Sequence, residues 1–340
     1  LDSNEASARE DYFGFTSDKR HIRGCMELKF GLATPSNLWS LGWQERQQAL
    51  STIVNSGFDH IFMADHVSFR DGSGTDGFVE VASLSQLNPD IGVMISIYLL
   101  PLRHPLPVAR QLASMARIAP GRMIFGVGIG GEDRHESEVC GVDPRRRGVR
   151  ANESLEIIKG LLDGGPVTFA GAEFEVTDAV IKPRPRQPIP ILVGGRSDAA
   201  LTRAAKYSEG WIGVWCSSKR FSAAVDIVQQ EAQVLGREAV PWCHGYQPWI
   251  GVDLKDSKKA YAAVKTGMEG FYHIPFEKFE RYTPSGTPAE VAEQLAPYIE
   301  SGCRLFNLKV CADHPEEEVA LGAEVVEQLR RYAPSLSVQA

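Results

Sequence analysis

Residues 190–207 read PILVGGRSDAALTRAAKY, and this stretch decides the fold. Pro190, Ile191, Leu192 and Val193 make a short apolar run of the kind a fully buried strand shows. Gly194, Gly195, Arg196 and Ser197 follow, and Asp198 opens a helical pattern through Ala199, Ala200, Leu201, Arg203 and Ala204. Glycines ahead of a helix start leave free N–H groups, the helix dipole favours an anion there, and Arg196 and Ser197 add donors. A phosphate fits that turn. The plainer alternative is a tight Gly-Gly turn with Ser197 as an ordinary N-cap.

Working outward, the same order of strand then helix recurs. Apolar runs bounded by Gly, Pro, Asn or Asp lie near 28–34, 60–64, 91–97, 122–128, 190–193, 211–215, 246–252 and 304–310. Amphipathic patterns alternate with them near 44–56, 77–87, 105–118, 147–162, 197–207, 219–236, 257–267 with 288–301, and 315–331. Strands apolar on both faces, each followed by a helix, predict a parallel sheet covered by helices. Eight such units in ~300 residues predict an α/β chain folded as a closed (β/α)8 TIM barrel. An open doubly wound sheet is the alternative, and eight strands would make it wide.

Three stretches interrupt the alternation and predict insertions at the carboxyl face of the strands, where a barrel builds its site. They are the glycine-rich loop 65–77, a hairpin followed by KPRPRQP within 164–188, and the aromatic, irregular 268–287. Residues 1–25 are polar and mixed in charge, without the apolar core of a signal peptide. They read as an extension, with 26–340 as a single barrel domain.

The 340 residues are 43% hydrophobic and 23% charged, the balance of an ordinary globular protein. The longest strongly apolar run, Ile91 to Leu100, is about half of a bilayer span, so no membrane partner is expected. A net charge of −7 gives no basic stripe for phosphate backbones, so no nucleic-acid partner is expected either. The six cysteines lie far apart, without zinc spacing, and read as reduced thiols of a cytoplasmic protein with no bound metal.

Chemistry is expected at the strand ends. The second strand ends in Asp65 and His66, a carboxylate beside an imidazole that moves protons near neutral pH; the bland alternative caps the loop with Asp65 and packs His66. In the fourth strand, Gly126, Gly128, Gly130 and Gly131 allow close approach of backbone to a ligand, or merely fit a crowded barrel interior. They match a dinucleotide fingerprint only superficially, since no helix follows at once. Arg103 and His104 after the third strand are candidates for an anionic group, though Pro105 also simply starts a helix. The run Arg145, Arg146, Arg147 with Arg150 reads as a solvated helix start.

Six segments, in order, resemble the bacterial luciferase-like monooxygenases, a family of FMN enzymes and deazaflavin (coenzyme F-420) oxidoreductases. They are KFGLATP, SGFDHIFMADH, RHPLPVARQLASMARIAPGRMIFGVGIGGE, ESEVCGVDPRRRGVRANESLEIIKGLL, PILVGGRSDAALTRAAKYSEGWIGVW and GTPAEVAEQLAPYIESGCRLFNLKV, which span Met26 to about Val310. The resemblance implies a (β/α)8 barrel with a flavin-type ring at its carboxyl mouth. It places Asp65 and His66 beside the ring, with His66 as proton carrier. Ser96 and Ile97 match the place where relatives bulge the third strand behind the ring, often through a non-proline cis peptide. Gly128 and Gly130 would let the cofactor tail pass, Gly194, Gly195, Arg196 and Ser197 would hold its phosphate, and Trp215 would pack against cofactor or substrate. Phe271, Tyr272 and Phe276 are candidate substrate or lid residues, in a stretch that is equally readable as an extra packed helix.

Two chemistries follow from the resemblance. In one, reduced FMN from a separate flavin reductase reacts with O₂ to oxygenate a small organic substrate; in the other, coenzyme F-420 passes a hydride. Asp-His rather than Glu-His leans toward the deazaflavin branch. The acidic tail of that cofactor needs a basic rim, however, and none is visible in a chain of charge −7, which places FMN ahead. A non-catalytic flavin-binding protein is a third reading, disfavoured by the retained Asp65, His66 and glycine loops. A homo-oligomer is expected.

Overall fold

The computed structural model describes residues 27–333. Twelve strands lie among them, in chain order β1 (Lys29–Ala33), β2 (His60–Met63), β3 (Gly92–Leu99), β4 (Met123–Gly128), β5 (Val167–Ala170), β6 (Glu175–Ala179), β7 (Ile191–Gly194), β8 (Gly210–Gly213), β9 (His244–Tyr246), β10 (Trp249–Val252), β11 (Ser285–Gly286) and β12 (Cys303–Cys311). The helices are α1 (Trp43–Asn55), α2 (Gly77–Leu87), α3 (Pro105–Ile118), α4 (Arg134–Val139), α5 (Arg147–Asp163), α6 (Asp198–Tyr207), α7 (Ser218–Val234), α8 (Ser257–Tyr272), α9 (Pro288–Glu300) and α10 (Glu318–Arg330). The parallel order β1-β2-β3-β4-β7-β8-β9-β12 closes on itself through β12 and β1, with Phe30 opposite Phe306. This is the closed (β/α)8 barrel, and the open sheet is excluded.

The strands are apolar on both faces because both are covered. Phe62, Met94, Leu192, Ile212 and Leu305 pack against one another inside the barrel. Neighbours of opposite parity, such as Ile61, Val93, Phe125 and Val193, belong to the larger core between strands and helices. The hairpin expected within 164–188 is β5 with β6, and Glu153 of α5 pins its turn by accepting from the N–H groups of Ala172, Glu173 and Phe174.

Two expectations need correction. The run 246–252 is not one strand: Pro248 cannot donate to a ladder, so β9 ends in the barrel and β10 moves to the outer end of β12, with Trp249 opposite Lys309. The segment 268–287 is less irregular than its sequence suggests, because α8 runs on to Tyr272 and two 3-10 turns follow at Phe276–Lys278 and Glu280–Tyr282. The expected extension 1–25 lies outside the described residues. Among the described residues no helix is long and apolar enough to cross a membrane.

Candidate active site at the barrel mouth

Asp65 follows β2 and is fully buried. Its Oδ2 accepts from the Leu99 N–H (3.1 Å) and Arg103 Nη1 (2.6 Å), and its Oδ1 accepts from the Gly77 N–H (3.0 Å) and Arg103 Nη2 (2.8 Å). Burial alone pushes the carboxyl up. Four donors nevertheless occupy all four lone-pair sites of a carboxylate, so the ionised form is the one this pocket fits. Arg103 is thereby committed to Asp65, with its guanidinium 4.5 Å from the Tyr98 ring centroid. Asp65 ties the ends of β2 and β3 to the start of α2, and its oxygens have no lone pair left for a ligand. His104, the other candidate after β3, caps α3.

His66, the next residue, has a carboxylate behind it. Its Nδ1 lies 3.1 Å from Oε2 of Glu136, on the short helix α4, and its ring packs on Phe69 at 4.2 Å between centroids. Glu136 is 3% exposed and is itself aimed by the N–H groups of Val67 (2.7 Å) and Ser68 (3.2 Å). A carboxylate on Nδ1 selects the tautomer with its proton there, which leaves Nε2 as the ring nitrogen for exchange.

At the end of β3 the Ser96–Ile97 peptide is cis, and the pairing with β4 shifts register between Ile95 and Tyr98. Ile97 lies across the barrel mouth. A Cβ added to Gly128 would come 2.7 Å from Ile97 Cγ2, and one on Gly194 would collide with Ile97 Cδ1. These glycines therefore make room for Ile97 itself. Gly130 and Gly131 hold φ of +69° and +146°, a backbone region that glycine occupies without a Cβ clash.

The turn after β7 has the plainer features of its sequence: Gly195 holds φ +126°, and the Ser197 side chain caps α6 on the Ala200 N–H. Arg196 extends over Trp215, 5.4 Å from guanidinium carbon to ring centroid. Together they border a cavity of about 370 Å³ that is also lined by Arg70, Gly131, Glu132, Tyr272, Ile274, Lys278, Phe279 and Tyr282. An adjoining space of about 170 Å³ reaches Arg220, Cys216 and Ser217. Arg70 and Trp215 both hold left-handed backbone (φ +55° and +48°), a strain of order 1–3 kcal/mol that persists where surroundings over-determine it. Glu132, an exposed residue at the edge of this cavity, faces His66, Arg70 and Arg196, and the partial loss of water around its carboxyl pushes it up.

Of the three candidate lid residues, Tyr272 lines the cavity and meets Trp215 edge-on at 5.1 Å. Phe271 is 40% exposed and stacks on Phe69 at 5.7 Å. Phe276 lines neither cavity and is buried with Val264, Met268 and Phe279. Sequence reading missed Glu136, Glu132 and the basic rim of Arg70, Arg220 and Lys278, which come from separate segments of the chain. The expected solvated run of arginines divides: Arg146 and the mostly covered Arg150 pair with Glu173, while Arg147 turns inward, its Nη1 buried beside Gly130 and Gly131.

The residues suit an anionic, ring-bearing group. Buried Arg70 Nε, Arg147 Nη1 and Trp215 Nε1 have no hydrogen-bond partner among the described residues, and buried donors are seldom left so. The cavity falls in the ~300–1,000 Å³ range of small-molecule sites.

Fold and mouth together define a closed (β/α)8 barrel with a cavity of small-molecule size among its loops. Its family is equally plain: the chain belongs to the luciferase-like monooxygenases, whose signature matches residues 41–273. An uncharacterised protein of Mycobacterium tuberculosis is 38% identical over 146 residues, 42% of this chain and 50% of that one. The chain thus spans about half the length of that relative. The F-420-dependent glucose-6-phosphate dehydrogenase of Nakamurella multipartita is 24% identical over 304 residues, 81% of this chain and 89% of its own. The structure of an F-420-dependent secondary alcohol dehydrogenase with an F-420-acetone adduct superposes with a TM-score of 0.77 at 18% identity, covering 89% of this chain and 99% of that one; this likeness is one of fold.

Proposed function

We propose that the protein is a coenzyme F-420-dependent oxidoreductase that moves a hydride between the cofactor and a small organic substrate. The observation that carries this reading is the basic rim. Arg70, Arg196 and Lys278 border one cavity and Arg220 borders its neighbour. FMN ends in one phosphate, which one or two cations satisfy, whereas a cofactor with an acidic tail makes use of four. The absence of such a rim is the sequence's reason to favour FMN, and four basic side chains from separate segments of the chain answer it. The F-420-dependent relatives support the same choice.

When bound, the deazaflavin supplies the carbon that gives or accepts the hydride. The chain's own residues do the rest. Arg196, Ser197 and the free N–H groups at the start of α6 hold the phosphate, and Ile97 floors the ring. His66, held at Nδ1 by Glu136, takes at Nε2 the proton of a substrate hydroxyl as its carbon becomes a carbonyl. Glu132 adds a second carboxyl to the cavity wall. Trp215, Tyr272 and Phe279 exclude water.

Separate fluorescence titrations with coenzyme F-420 and FMN test the reading. F-420 is expected to bind more tightly, with an affinity that weakens as salt screens the rim. Tight FMN and no F-420 binding would reinstate the monooxygenase chemistry with reduced FMN and O₂. Failure of both below the millimolar range would refute a flavin-type site.

A further inference from the structure

We propose that Gln247 is a positioning residue that fixes Ile97 at the barrel mouth, and with it the seat of the cofactor ring; this rests on the flavin-type reading above. Gln247 grips the residue before Ile97 at two points. Its Oε1 accepts from Ser96 Oγ (2.6 Å), and its Nε2 donates to the Ser96 carbonyl oxygen (3.3 Å). That carbonyl belongs to the peptide linking Ser96 to Ile97, so its orientation and the placement of Ile97 are set together.

The grip is anchored from below. Asn307 Nδ2 donates to Gln247 Oε1 (3.1 Å), and Asn307 Oδ1 pairs with His60 Nε2 (2.7 Å). Asn307 is fully buried and His60 is 2% exposed, so a polar string runs up the barrel from the start of β2 to the mouth of β3. Gly31 makes room for it, since a Cβ there would collide with His60 Nε2 and come 2.7 Å from Asn307 Oδ1. The backbone of Gln247 is held as well: its N–H donates to the Gly213 carbonyl (2.9 Å) before Pro248 breaks the strand. The string is paired along its length from His60 Nε2 to Ser96, with His60 Nδ1 the one buried atom in it lacking a partner among the described residues, and a paired buried network rigidifies what it touches. What this one holds at its upper end is Ile97, which extends over Gly128 of β4 and Gly194 of β7. A floor spanning three strands cannot be reset by small local movements once Gln247 lets go.

The test uses Gln247→Leu and Gln247→Glu, with coenzyme F-420 as the probe in fluorescence and absorption titrations, alongside thermal melts. Gln247→Leu removes both contacts and is expected to weaken binding about tenfold, the size of a lost hydrogen bond with its partner left unsatisfied, and to shift the absorption of the bound cofactor. Gln247→Glu keeps the donor only while its carboxyl is protonated, and loss of water beside the buried Asn307 pushes a carboxyl at this position up into the range between the two test pH values. Its affinity relative to wild type is expected to approach unity at pH 5.5 and to fall toward that of Gln247→Leu at pH 8, with the fold intact at both. A space-filling role would produce no such pH dependence. Wild-type affinity and spectrum in Gln247→Leu, or a flat ratio for Gln247→Glu, overturns the positioning role; if Gln247→Leu does not fold, the Glu variant decides. Wild-type protein that binds neither F-420 nor FMN overturns the flavin-type reading and this inference together.

Discussion

Asp65→Asn is expected to damage the fold before it damages the chemistry. The carboxylate is fully buried and takes two hydrogen bonds from Arg103 and two from backbone N–H groups. An asparagine offers one oxygen in place of two, turns an NH₂ group toward a donor, and leaves the guanidinium with only the half-exposed Asp76, 3.8 Å away, as counter-charge. Breaking a buried pair by removing one partner costs about 3–5 kcal/mol, because the remaining charge stays behind uncompensated. For a domain of this size that is a fall in Tm of about 5–8 °C. Thermal and urea unfolding of Asp65→Asn, Arg103→Met and the double variant measure it. The double variant is expected to be more stable than the sum of the single losses implies, because neither charge is then stranded. Additive losses, or an Asp65→Asn protein within about 0.5 kcal/mol of wild type, would refute the assignment of Asp65 to the scaffold.

Two further outcomes follow from the site and the core. His66→Ala is expected to lower turnover of an accepted alcohol by about 10²–10⁴ while coenzyme F-420 still binds normally; full turnover with normal binding would exclude His66 as proton carrier. Burial holds the imidazoles of His60 and His244 down at about 4, against an ordinary 6.5. The unfolded chain therefore takes up protons first, so stability is full above pH 6.5, falls as the pH drops to 4, and levels off below. Each group contributes about 3 kcal/mol at most. Urea unfolding at stepped pH measures this, and a free energy unchanged from pH 7 to 5 would contradict it.

The parts of the molecule legible in sequence are those whose causes are local. PILVGGRS declares strand, turn and helix cap within a few residues, and β7, the Gly195 turn and α6 form there. Asp65 and His66 were visible because a strand end in a barrel is already a position. Their roles were less visible, since these depend on Arg103 and Glu136, 38 and 70 residues away. Asn307 and Gln247 carry no local signal at all. The split of 246–252 had a readable cause in Pro248, whereas the two-residue β11 carries no strand signal of its own. The rim of Arg70, Arg196, Arg220 and Lys278 is hidden for another reason: a net charge of −7 averages over a surface, while a binding site depends on where the charges stand.

The pairing of β1 with β12 bears on the order in which the molecule is made. His60 and Asn307, 247 positions apart, meet only when the last strand has closed the ring. Contacts at such separation form late, since the entropy of loop closure comes before any reward. A chain emerging from synthesis carries Ser96 and His66 long before Asn307 exists to brace Gln247. The incomplete barrel has its glycine turns and its histidine but no settled floor. Maturation of the mouth is thus tied to completion of the fold, and a chain stalled short of β12 presents two open strand edges and no seated ring site.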